Sequence, residues 1–115
     1  MKAVYQFIVT APLAIATVLP LEVSAATTKQ GIELANSIGF QSGKQYCSGK
    51  SAGDAIEKGT AKAMFDSSMS MDEIDTIDMA QDIYSVPLIE SFFAYTIDNC
   101  PARAKRLWRE INESM

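Results

Sequence analysis

The residues in this chain with the strongest claim on chemistry are two cysteines, Cys47 and Cys100, and a row of carboxylates; histidine is absent. Without an imidazole there is no Ser-His-Asp or Cys-His arrangement, no histidine ligand for zinc and no imidazole acid or base. Neither cysteine has a Cys-x-x-Cys neighbour or a histidine to lower a thiol pKa, so a structural disulfide is expected rather than a redox site. The two stand 53 positions apart. Closing a loop of that length restricts the unfolded chain enough to stabilise the folded one by about 4 kcal/mol.

The carboxylates invite two further readings. Asp72, Asp75, Asp78 and Asp82 suggest calcium, but an EF-hand loop places its ligands at alternate positions around a glycine turn, and this stretch has neither feature. A solvated acidic helix face is the expectation. No carboxylate pair lies in an apolar run that would split it into acid and base. Gly49-Lys50-Ser51 resembles the end of a phosphate loop, yet Lys44 occupies the position where that template has its first glycine. Asn112-Glu113-Ser114 fits a glycosylation acceptor, which has meaning only in a eukaryotic secretory route. No catalytic, cofactor-binding or metal-binding residue is assigned, and a non-enzymatic protein is expected.

The compartment follows from the start of the chain. Lys2 precedes an apolar run from Phe7 to Leu21, and Val23-Ser24-Ala25 places small or apolar residues before Ala26. Charge, apolar stretch and small-residue cleavage site in that order describe a signal peptide over residues 1–25. The run is too short, and too crowded by Pro12, Pro20 and Glu22, for a membrane span. An exported product of residues 26–115 is therefore expected, periplasmic, extracellular or in another extracytoplasmic lumen, where a disulfide persists. At that size one domain has little core to spare, and a covalent staple matters.

Helix signals dominate this domain. Thr27-x-x-Gln30 reads as a capping box for a helix with Ile32, Ala35 and Ile38 on one side; Gly31 and Gly39 make it the weakest element, expected to fray. Ser51-x-x-Asp54 opens a second helix whose face of Ala52, Ala55, Ile56, Gly59, Ala63 and Met64 is narrow enough for close approach by a neighbour. Ser70-x-x-Glu73 is a capping box for a third, with Ile74, Ile77, Gln81 and Tyr84 inward and the aspartates outward. Ser85-Val86-Pro87 reads as the start of a fourth, the expected central core element, carrying Leu88, Ile89, Phe92, Phe93, Thr96 and Ile97. Pro101 opens a last helix with Ala104, Leu107, Trp108 and Ile111 on one face, expected to dock on the domain. The fold class predicted is all-α, a small bundle of four to five helices closed by the Cys47–Cys100 disulfide.

Charge is unevenly spread. The chain has 10 Lys+Arg and 14 Asp+Glu. Lys2 and Glu22 leave together with the signal segment, so the net charge of −4 is unchanged. Eight acidic and no basic residues lie between Asp66 and Asp98, whereas Arg103, Lys105, Arg106 and Arg109 crowd the C-terminus. That balance excludes a nucleic-acid binder, which needs a basic surface to neutralise phosphates. Basic residues in a first helical turn oppose the helix dipole, and the aspartate face is the expected internal compensation. Arg103, Lys105, Arg106, Trp108 and Arg109 are the candidate partner-binding residues, toward a protein or, peripherally, a membrane or membrane complex.

In its size, its two cysteines and its ending Lys105-Arg-Leu-Trp108-Arg-Glu-Ile111, the stretch from Cys47 to Met115 resembles HdeA-type periplasmic acid-stress chaperones. With its Cys100-Pro101 pair it also looks like small exported two-cysteine helical proteins of unknown function. The first resemblance implies a non-catalytic holdase that loosens at low pH and binds unfolded clients. The alternative from another class is a small accessory or structural subunit of a membrane-associated extracytoplasmic assembly, docked through the basic Trp108 helix.

Overall fold

The computed structural model describes residues 25–114. The predicted signal peptide, apart from its last residue, lies outside them. Five helices follow in order: α1 (Thr28–Cys47), α2 (Ala52–Asp66), α3 (Met71–Asp75), α4 (Asp82–Asn99) and α5 (Ala104–Ser114), with a 3₁₀ turn at Pro101–Arg103 before the last. No strand occurs among the described residues. The fold is all-α, closed by a Cys47–Cys100 disulfide with Cα atoms 5.6 Å apart.

The first helix overturns its own expectation. It runs for 20 residues from the Thr27–Gln30 capping box, straight through Gly31, Gly39 and Gly43. All three glycines are buried, and with Ala35 they form a ridge of small residues at a spacing of four. Ridges of that period are what one helix offers to the grooves of another. A β-carbon at Gly39 would lie 2.3 Å from the Leu88 carbonyl, and one at Gly43 would lie 2.6 Å from Tyr95. Gly31 meets the Tyr84 ring in the same way. Residues expected to weaken α1 are those that let α4 approach it, and tertiary contact outweighs the intrinsic cost of glycine in a helix, about 1 kcal/mol each.

These contacts set the topology. Gly31 faces Tyr84, Gly43 faces Tyr95 and Cys47 is bonded to Cys100, so α1 and α4 run parallel, offset by about 53 positions. On its other side α1 meets α2 antiparallel, with Gly59 against Ser42. The narrow small-residue face predicted for α2 is present as Ala52, Ala55, Gly59 and Ala63, all buried. Because α2 and α4 barely touch, α1 rather than α4 is the central element. The core divides along it. Leu34, Ile38, Ala63 and Ile74 form one cluster; Tyr46, Ala52, Ala55, Phe92, Leu107 and Ile111 form the other, at the disulfide end.

The segment from Ser70 to Tyr84 is also corrected. Its capping box is formed, but the helix lasts five residues. Thr76 turns its hydroxyl back to the Glu73 carbonyl at 2.6 Å, and Asp78 accepts from the Ala80 amide at 3.0 Å. Short polar side chains that bond nearby backbone compete with the helical ladder, and here they win. Ile74 and Ile77 still pack inward, but the aspartates occupy a short helix, a turn and the start of α4 rather than one face. The next helix begins at Asp82, with Gln81 as its cap, so Pro87 lies inside it instead of opening it. Pro87 removes only the bond to the Ile83 carbonyl, and the seat of Tyr84 on Gly31 favours the earlier start.

Candidate functional site

The five candidate residues at the C-terminus divide into two sets. Arg103, on the 3₁₀ turn, faces inward. Its guanidinium donates to the carbonyls of Tyr46 and, at 3.4 Å, Lys50, and lies 4.1 Å from the centre of the Tyr46 ring. Those carbonyls belong to the last turn of α1 and the loop after it, where a cation complements the negative end of the helix dipole. The loop turns at Gly49, whose φ of +113° suits glycine alone. Arg106 pairs along α5 with Glu110, Nε to Oε2 at 2.8 Å. The opposing charge for the basic helix is therefore local. The acidic stretch from Asp72 to Asp82 sits at the far end of α1, and the expected compensation does not form.

Glu110, which the sequence reading passed over, is the hub of this junction. Its Oε1 accepts from the Ala52 amide at 2.8 Å, and its Oε2 accepts from the Tyr46 hydroxyl at 3.1 Å as well as from Arg106. Ala52 is the first residue of α2, so one of the amides left free at that helix start is satisfied by a carboxylate from another helix. The amide bond from Ala52 leads in holding the Glu110 pKa below its ordinary value, with burial opposing and the bonds from Arg106 and Tyr46 assisting. Tyr46 is moved up, first by burial and then by its bond to Glu110. An i, i+4 spacing to Arg106 is visible in the sequence, but it identifies a surface pair and nothing more. The role of Glu110 depends on Tyr46 and Ala52, about 60 residues away, and no local pattern carries that.

Lys105, Trp108 and Arg109 point outward. Leu107 and Ile111 anchor α5 in the core, as expected, but Trp108 is 57 % exposed and touches the domain through Phe93, ring centres 5.9 Å apart. One turn along α4 from Phe93, Ile97 is 56 % exposed. Neither Lys105 nor Arg109 forms an ion pair among the described residues. The outcome is an aromatic and aliphatic patch with two uncommitted cations, on a helix clamped from beneath by Glu110 and Arg103.

The remaining surface offers little chemistry. An open groove between α1 and α4 is lined by Asn36, Phe40, Ser91 and Tyr95; the Ser91 hydroxyl donates to Asn36, and Phe40 meets Tyr95 edge-on. A cleft beside Gln30, Glu33 and Asp66 also holds Ser37, Ser67 and Ser68, and among the described residues none of these hydroxyls is hydrogen-bonded to either carboxylate. No cluster of metal-ligating side chains and no helix long and apolar enough to cross a membrane occurs among the described residues. Asn112, the glycosylation candidate, is exposed on α5. No family model, no curated protein and no solved structure matches this chain.

Proposed function

We propose that this is a small exported protein that acts through protein contacts, in the manner of an acid-responsive holdase. One observation carries the reading: a single carboxylate, Glu110, joins α5 to the start of α2 and to Tyr46 over the buried Leu107 and Ile111. A glutamate with a depressed folded pKa contributes stability that is present above its unfolded pKa and lost as pH falls through the folded value. Acid therefore loosens the grip on α5 and bares its apolar underside, while the disulfide keeps the chain compact. Lacking histidine, the protein has no side chain that titrates by default between mild acid and neutrality, so the response belongs to strong acid. The export expected from the N-terminus and the disulfide are consistent with a compartment that meets such conditions.

The test follows dye binding to apolar surface from about pH 7 to pH 3, together with suppression of aggregation of an acid-unfolded client. Dye binding should rise and aggregation should fall over the same interval, and in Glu110→Gln the dye should bind already at neutral pH. Flat dye binding down to pH 3 excludes the holdase. A second reading, an accessory subunit of a membrane-associated extracytoplasmic assembly, draws on the outward Trp108, Lys105 and Arg109. Pulldown from the extracytoplasmic fraction separates the two, since one stoichiometric partner favours the accessory and many favour the holdase.

A further inference from the structure

The molecule has two unlike ends. At the disulfide end, Trp108 and Ile97 are exposed beside Lys105 and Arg109, which have no ion-pair partner among the described residues. At the other end, past the start of α1, the crossover from α2 to α4 carries Asp72, Asp75 and Asp78 and no basic residue, and Asp82 opens α4; all four aspartates are exposed. That end also holds large apolar side chains in solvent: Phe65 is 85 % exposed, with Met71 and Val86 about half so. From Gly31 to Cys47 the helix rise of about 1.5 Å per residue separates the two ends by roughly 24 Å. They therefore lie too far apart to satisfy one another within one molecule.

We infer that the two ends are complementary and that the chain associates head to tail with further copies of itself, the Trp108 face of one molecule seating on the acidic crossover of the next. The ends differ by an excess of opposite charge around exposed apolar area: Lys105 and Arg109 outnumber Asp98 beside Ile97 and Trp108, and Asp72, Asp75, Asp78 and Asp82 outnumber Lys29 and Lys62 beside Phe65 and Met71. Charged rims of opposite sign steer the encounter and fix its orientation, and Trp108 and Phe65 are the apolar anchors. The contact joins different surfaces, so it does not close as a two-fold dimer does and continues from copy to copy. Each patch is a few side chains wide, well short of the roughly 800 Å² per partner of a stable complex, so association is weak and depends on concentration and salt.

Sedimentation velocity of the purified, disulfide-bonded chain tests this at concentrations from about 10 μM to 1 mM, in low and in roughly physiological salt. The weight-average sedimentation coefficient should rise with concentration beyond the dimer value and fall with added salt. Lys105→Glu/Arg109→Glu should weaken association at least about tenfold, as should Asp72→Lys/Asp75→Lys. An equimolar mixture of the two variants should restore it. Phe65→Ser, at a position with almost no packing to lose, should weaken it without altering the thermal melt, which keeps the result independent of folding. A monomer at every concentration, a dimer that grows no further, or variants that fail to complement one another would each overturn the proposal. So would association that salt leaves unchanged, or co-sedimentation with anionic phospholipid vesicles in place of self-association.

Discussion

Two side chains on α1 show how differently a buried polar atom can be treated. The Tyr46 hydroxyl reaches Glu110, whereas the hydroxyl of Ser42, wedged against Gly59, makes no hydrogen bond among the described residues. An unpaired buried hydroxyl destabilises by about 1–3 kcal/mol. Ser42→Ala should therefore be neutral or stabilising by up to about 1 kcal/mol in urea unfolding; a loss beyond that would mean the hydroxyl has a partner after all. Glu110→Gln should go the other way. It weakens charge-assisted bonds to the Ala52 amide, Tyr46 and Arg106, with an expected cost of about 1–2 kcal/mol at neutral pH. Because the folded pKa is depressed, the difference between variant and parent should shrink as acid protonates the parent. A cost that stays constant down to pH 3 would assign the effect to shape rather than charge.

At the scale of the elements, glycine position decides the sign of a substitution. Alanine in place of glycine favours a helix by about 1 kcal/mol where there is room. Gly53, in the first turn of α2, has open space for a β-carbon, so Gly53→Ala should raise the melting temperature by a few degrees. At Gly39 the same change drives a methyl against the backbone of α4, and the expected loss is at least about 2 kcal/mol. Should both variants stabilise, α1 and α4 are not as close as the structure has them. The capping signals at Thr27, Ser51 and Ser70 were all legible because each is closed within four residues. Helix lengths were not. They depended on Thr76 and Asp78 bonding their own backbone, and on Tyr84 finding Gly31 across the bundle.

For the whole molecule, the disulfide ties the end of α1 to the end of α4. Cys100→Ser should lower stability by about 2–5 kcal/mol and loosen α5, which follows Cys100 directly. A variant as stable as its parent would show that Arg103, Glu110 and the Leu107 cluster hold that end unaided. Cleavage ahead of Ala26, read by intact mass, would leave the Thr27–Gln30 capping box whole and the Ala26 nitrogen within reach of the Thr76 hydroxyl, 3.0 Å away. Retention of residues 1–25 in the exported product would remove the premise for an extracytoplasmic role.

The sequence by itself determined the helical class, the caps at Thr27, Ser51 and Ser70, the disulfide partners and the small-residue face of α2. These follow from composition, from spacings of three and four residues and from there being only two cysteines to pair. It also placed the charge asymmetry, since that is a property of order along the chain. Tertiary structure alone decided that α1 is the spine, that Trp108 stands outside while Leu107 goes in, and that Glu110 rather than the aspartate row answers the basic helix. Each of those outcomes turns on contacts between residues tens of positions apart. In such contacts the shape of a glycine ridge or one free amide at a helix start selects among partners that periodicity leaves equivalent.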